Sequence, residues 1–183
     1  MKVVIVGGVA GGATAAARIR RLDEKAEIIV FERSGYVSYA NCGLPYYIGG
    51  VIEAPQELTL QTPESFFERF RVDMRVHHEV TAIHPERKAV SVRNLTTGEE
   101  FEESYDKLLL SPGAKPTQPR LPGMGIKQLF TLRTVEDTFR IKTYIQEHQP
   151  KSAVLAGASS DWSWRRTCAS WEWRLPSYSG PSS

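Results

Sequence analysis

Cysteine is scarce in this chain: Cys42 and Cys168 are the only two among 183 residues. Two thiols so far apart make no disulfide framework, and no C-x-x-C pair or Cys/His cluster supplies metal-ligand spacing, so no metal site is expected. Long hydrophobic runs are missing too. The first, "VVIV", is too short to cross a bilayer and leads into glycines rather than a cleavage site. Charge of one sign is not in excess: 23 basic against 21 acidic residues give a net +2, which excludes neither fold nor catalysis but gives no reason to expect nucleic acid or a membrane surface as partner. Tryptophan is absent until Trp162. What remains, 41% hydrophobic and 24% charged residues, is ordinary for a globular domain. The natural setting is a reducing cytoplasm, where a lone thiol with a purpose is more often catalytic than structural.

The chain opens with a buried-strand pattern, Val3 to Val6, then "GGVAGG", then the helix-forming "ATAAARIRRLDEK", then a second apolar run from Ile28 to Phe31 that ends on Glu32. That is a strand, glycine turn, helix and strand of the length a βαβ unit needs. "PESFFERF" predicts a short helix starting at Pro63. From about residue 76 to 104 the pattern changes to alternation, "RVHHEVTAIH", "KAVSVRN" and "EEFEES", split by turn signals at His84-Pro85 and Thr97-Gly98. An antiparallel β-meander inserted in an α/β domain is expected there. "YDKLLLSPGAKPTQPRLPG" reads as a strand running into a loop, "TVEDTFRIKTYIQEHQ" as a helix with Thr134 at its N-cap, and "KSAVLAG" as the start of a further strand. The expected division is 1–115, 116–150 (connecting loop and helix) and 151–183.

A glycine turn between strand and helix brings backbone N–H groups and the positive helix end against a diphosphate. The spacing Gly7-x-Val9-x-x-Gly12 is a G-x-G-x-x-G variant with its middle glycine replaced, and Gly8 and Gly11 keep the turn permissive. Glu32 at the end of the second strand suits a ribose, as an acidic side chain there accepts its hydroxyls. This pattern leaves NAD and FAD both open. His77, His78 and His84 lie in or beside the meander without a partner at metal spacing and are expected to be structural or exposed.

"VVIVGGVAGGATAAARIRRLDEKAEIIVFER", followed by "YVSYANCGLPYYIGG" and later "FEESYDKLLLSPGA", resembles the pyridine nucleotide–disulfide oxidoreductases, in the branch of coenzyme A disulfide reductases, persulfide reductases, NADH oxidases and NADH peroxidases. The likeness runs from Met1 to about Gly157. It implies a Rossmann-like, three-layer FAD-binding domain of the α/β class, here incomplete, with NAD(P)H as electron donor and a homodimer as the family's assembly. Cys42 would be the redox nucleophile in the one-cysteine form of the family. Ser38 and Asn41 would lie beside the substrate, coenzyme A disulfide or a related thiol or persulfide, and Thr14, Arg18 and Arg21 would face its coenzyme A moiety. Gly7, Gly8, Gly11, Gly12, Glu32, Arg33, Val80, Ser111 and Gly113 would lie along FAD. A basic residue that the family carries near the end of "ESFFERFR" falls on Phe70. NADH oxidase or peroxidase chemistry through a sulfenic acid, and a non-catalytic FAD-binding module, are the rival readings.

Only a thiolate attacks a disulfide, and cationic or helix-dipole surroundings favour it. Arg18 and Arg21, three apart, share one helix face and suit phosphates.

The tail has another texture. All four tryptophans lie in the last 22 residues and nine of the last 33 are serine, with neither helix nor strand period. Shifted by one base, Asp161–Trp162 encodes only Leu, Trp171–Glu172 only Gly and Glu172–Trp173 only Met or Val. With permitted codons elsewhere, the span from Leu155 to Tyr178 reads GGGFIGLELAENLRQLGMEVTLV, a second G-x-G-x-x-G with helix and strand. The expectation is a frameshift near residues 154–158 that cuts the chain off from a nicotinamide domain and leaves it inactive alone.

Overall fold

A computed structural model describes residues 1–116, 122 and 125–153. Most of the strand expected at 151–157, and all of the tail including Cys168, lie outside the described residues. The described chain divides into two compact units: Met1–Tyr39 with Thr59–Lys115, and Ala40–Leu58 with the described residues from Pro116 on.

In the first unit, β1 (Lys2–Val6), β2 (Glu27–Phe31), β3 (Asp73–Arg75) and β7 (Lys107–Leu110) form a parallel sheet in the order β3-β2-β1-β7. Val4 pairs with Ile29 on one side and Leu108 on the other. Because side chains alternate across a strand, one continuous apolar run serves two cores. Val3, Ile5, Ile28 and Val30 join Ala13 and Ala16 of α1 (Ala10–Leu22) and Phe66 of α3 (Pro63–Phe70) on one face. Val4, Ile29 and Phe31 meet Val90 and Val92 on the other. These last two belong to β5 (Ala89–Asn94), the middle strand of an antiparallel sheet with β4 (His78–His84) and β6 (Glu100–Ser104). Helices, parallel sheet and meander thus make three layers, the α/β architecture expected. Burial of each large aliphatic or aromatic side chain here contributes about 1.5–3 kcal/mol.

Local chemistry sets the boundaries. Thr62 and Ser65 form a reciprocal capping box at the start of α3, where Pro63 fills a position whose N–H has no helical partner. At the other end Arg71 takes a left-handed conformation (φ 50°). The meander begins later than its alternation suggested. Arg75 belongs to β3, and His77, at φ 56°, turns the chain before β4 starts at His78. β3 is only three residues long and ends on charge, so periodicity did not separate it from the strand that follows.

The second unit contains a 3-10 turn at Asn41–Gly43, running directly into α2 (Leu44–Ile48), and α4 (Val135–His148). Thr134 caps α4 as expected and exchanges hydrogen bonds with Asp137. No helix among the described residues is long and apolar enough to cross a membrane.

Candidate functional site

The glycine turn is built to steric limits. Gly7 sits at φ 95°, and a Cβ there would lie 2.1 Å from the Ser111 carbonyl oxygen. Ser111 itself donates its N–H to Val6 O at 2.8 Å, so the loop after β7 crosses directly over the turn. A Cβ on Gly12 would lie 1.7 Å from Gly7 O, which makes glycine the condition for α1 to approach β1. Gly11 faces the Ser111 hydroxyl, 2.7 Å from where its Cβ would be.

Glu32 closes this turn from β2. One carboxylate oxygen accepts the Gly8 N–H at 2.7 Å and the other accepts the Ser34 N–H at 2.8 Å. Ser38, left-handed at φ 48°, donates its N–H to Gly8 O at 3.0 Å. Sequence distance had separated Glu32, Ser38 and Ser111; the sheet brings all three to the glycines.

Beyond the turn, α1 starts without a cap. Val9 offers no side-chain acceptor, and the first turn holds no acidic residue. The first helical amide with an internal acceptor is Ala13, at 3.1 Å from Val9 O. The preceding N–H groups have no acceptor within the helix, and together with the helix dipole they make a setting that favours an anion. This cradle, with no room for a side chain at Gly7 or Gly12 and a carboxylate fixed beside it, fits a nucleotide diphosphate with a ribose. Gly113 (φ 71°) and Arg33, whose guanidinium lies 3.6 Å from Glu79, are exposed in the same unit. Val80 lies at a bulge of β4 and packs against the sheet face.

Thr14, Arg18 and Arg21 are exposed along one side of α1, and neither arginine makes an ion pair with another described residue. Arg20, between them in sequence, behaves differently. Its guanidinium donates to Phe70 O at 2.7 Å, Arg71 O at 2.9 Å, Glu24 O at 2.6 Å and Asp23 O at 3.3 Å. It ties together the C-terminal ends of α1 and α3, a role that composition did not reveal. Phe70 packs on Phe66 with ring centroids 4.9 Å apart and planes tilted by 45°, while Arg69 and Arg71 lie over the Phe70 and Phe67 rings.

The histidines have structural settings. His78 bonds Val76 O through Nδ1 at 2.6 Å and sits against Phe31 and Phe101. His84 pairs through Nε2 with Ser91 Oγ at 2.9 Å, and His77 is exposed. No three His, Cys, Asp or Glu side chains gather as a metal site among the described residues.

In the second unit Cys42 is free and exposed in the middle of the 3-10 turn, beside exposed Asn41. From sequence alone, Gly43, Pro45 and the polar Asn41 make this stretch a shaped loop rather than a core strand. In the structure it is helical, because Leu44 N–H reaches Asn41 O and Gly43 N–H reaches Ala40 O at 2.9 Å, while Leu44, Pro45, Tyr47 and Ile48 bury one side. Ala40 also donates to Leu58 O at 3.2 Å, closing the segment at its base.

Comparison with known proteins agrees with these features. Residues 1–160 match the family model of pyridine nucleotide-disulphide oxidoreductases. The chain is 48% identical over 157 residues to a coenzyme A disulfide reductase of Staphylococcus aureus, covering 86% of this chain and 35% of that protein. A crystal structure of reduced Bacillus anthracis CoADR-RHD matches with TM-score 0.92 at 50% identity, over 95% of this chain and 32% of that one. An NAD-dependent persulfide reductase from A. fulgidus matches with TM-score 0.88 at 30% identity, over 96% of this chain and 33% of the other. The chain spans about a third of the length of the relatives it matches.

Proposed function

Because the chain belongs to the pyridine nucleotide-disulphide oxidoreductase family, whose enzymes use FAD and NAD(P)H, we propose that it is the FAD-binding and cysteine-bearing portion of a coenzyme A disulfide or persulfide reductase. The observation that carries this reading is the uncapped start of α1 behind a glycine turn locked to Glu32, in a chain 48% identical to a coenzyme A disulfide reductase.

Gly7, Gly8, Gly11 and Gly12 let the backbone approach the diphosphate, and Glu32 accepts ribose hydroxyls. Arg33, Val80, Ser111 and Gly113 complete the cofactor's surroundings. FAD, when bound, supplies a two-electron carrier between the nicotinamide nucleotide and sulfur. Thr14, Arg18 and Arg21 hold the anionic coenzyme A moiety, with Ser38 and Asn41 flanking the sulfur. The Cys42 thiolate attacks one sulfur of the disulfide, the S–S bond breaks, and one thiolate leaves. Two electrons originating from NAD(P)H and one proton then cleave the mixed disulfide, releasing the second thiol and restoring the Cys42 thiolate. The homodimer and the cytoplasmic setting belong to the same proposal.

A full-length relative carrying these residues tests the chemistry. Reduction of coenzyme A disulfide, lost in its Cys42→Ser variant, supports the reading. Turnover of hydrogen peroxide with none of the disulfide replaces it with sulfenic acid chemistry at Cys42. For this chain itself, FAD titration followed by flavin fluorescence distinguishes retained cofactor affinity from none.

The tail is part of the proposal: residues 155–178 are an out-of-frame reading of a second dinucleotide fingerprint. Nucleotide sequence across codons 150 to 183 decides it. A shifted frame that is closed, or that does not continue the fold, ends the idea.

A further inference from the structure

We infer that Lys142 is a positioning residue for Cys42, holding the short helix that follows the cysteine by seating its ammonium on the Tyr47 ring. The inference rests on the reading of Cys42 as the sulfur nucleophile.

A helix of five residues does not hold itself together in water, because nucleation costs more than so few hydrogen bonds return. The segment from Asn41 to Ile48 therefore takes its order from what it packs against. Its handle is Tyr47, which is buried and faces α4. Phe139 meets the Tyr47 ring edge-on, with centroids 5.6 Å apart. Lys142, three residues further along the same helix, places Nζ 3.6 Å from the centre of that ring. The face of α4 that carries these two side chains also buries Val135, Thr138 and Ile141, so its rotation about its own axis is fixed.

A lysine is an expensive choice for this place. Partial burial pushes its ammonium below the ordinary lysine range, with Glu53 acting in the opposite direction. A leucine or methionine would fill the space without that cost. What the ammonium adds is a directional attachment to the electron-rich face of Tyr47, together with an attraction to Glu53 in the chain just beyond α2. The C-terminal end of α2 and the chain just beyond it are thus drawn to one side chain, and the turn bearing Cys42 runs directly into the other end of that helix. A freely reorienting thiol spends most encounters misaligned with the S–S axis that it must attack in line. Fixing α2 removes that loss without any contact between Lys142 and sulfur.

The test uses the full chain in a Cys168→Ser background, so that Cys42 is the only thiol. Two quantities are followed: the rate of mixed-disulfide formation with coenzyme A disulfide, by intact mass, and hydrogen exchange at the amides of Gly43, Gly49 and Gly50 against those of β1 and β2. Lys142→Met is expected to slow the disulfide reaction about 3- to 10-fold and to speed exchange at those three amides by a similar factor, with β1 and β2 unchanged. Lys142→Arg, which keeps a cation over the ring, is expected to restore both. Unchanged thiol chemistry and local exchange in Lys142→Met, or a uniform rise in exchange throughout the chain, overturns the positioning role. A parent chain whose Cys42 forms no mixed disulfide at all overturns the nucleophile reading instead, while the exchange data still report on the clamp.

Discussion

The carboxylate of Glu32 accepts the backbone N–H of Gly8 at 2.7 Å, joining the end of β2 to the turn that follows β1. Its second oxygen holds the Ser34 N–H at 2.8 Å. One acidic side chain therefore fixes the shape of the cradle, at the edge of the proposed cofactor site.

Glu32→Ala is expected to leave two amides without their acceptor. Hydrogen bonds to a charged group contribute about 1.5–3 kcal/mol, so urea unfolding should shift to a lower midpoint, with the unfolding free energy reduced by an amount in that range. FAD affinity, by fluorescence titration, should fall at least about tenfold. Unchanged affinity in a folded variant would remove Glu32 from the proposed cofactor site.

The glycines differ in what they tolerate. Gly12→Ala places a methyl where Gly7 O already lies, 1.7 Å away, with backbone rather than a flexible side chain as the obstacle. Destabilisation above about 3 kcal/mol, or failure to fold, is expected. Gly50→Ala has the strain of a left-handed conformation, φ 79°, but nothing within 4 Å, and should cost only about 1 kcal/mol. Equal thermal midpoints for the two variants would refute the steric account.

Arg20 should separate cleanly from its neighbours. Arg20→Ala strips four carbonyls of a shared charged donor and is expected to lower stability by about 2–3 kcal/mol. Arg18→Ala and Arg21→Ala should stay within about 0.5 kcal/mol of the parent, yet weaken binding of coenzyme A by equilibrium dialysis. A loss of stability in Arg18→Ala matching that of Arg20→Ala would contradict this division.

Lys2 brings a pH signature. Its ammonium donates to Glu103 at 2.6 Å, and that hydrogen bond raises it above the ordinary lysine range despite the opposing effect of burial. The folded state thus holds the proton more tightly than the unfolded state. The stabilisation is complete below the unfolded lysine value and is lost as pH rises through the folded one. The gap in thermal midpoint between parent and Lys2→Met should be wide near about pH 8 and narrow above about pH 11. A gap that widens with alkali would reverse the sign.

Much of this was legible in order along the chain. Val3 to Val6, the glycines and Ile28 to Phe31 announce a parallel βαβ unit, because a strand covered on both faces is apolar throughout and the turn into the helix needs residues without Cβ. Thr134 and Pro63 mark helix starts through local hydrogen-bond chemistry, and the meander shows its period of two. These signals are local, so sequence alone determined them. Tertiary structure decided which partners meet across distance. It placed Ser111 over Gly7, Ser38 on Gly8 and Arg20 on the carbonyls of residues 70 and 71, and it added β3, too short for a period of its own. It also turned "NCGLPYYI" from a loop into a helical segment gripped by α4. Those outcomes depend on packing between segments far apart in sequence, where the energy lies in the contact and not in either strand of residues read by itself.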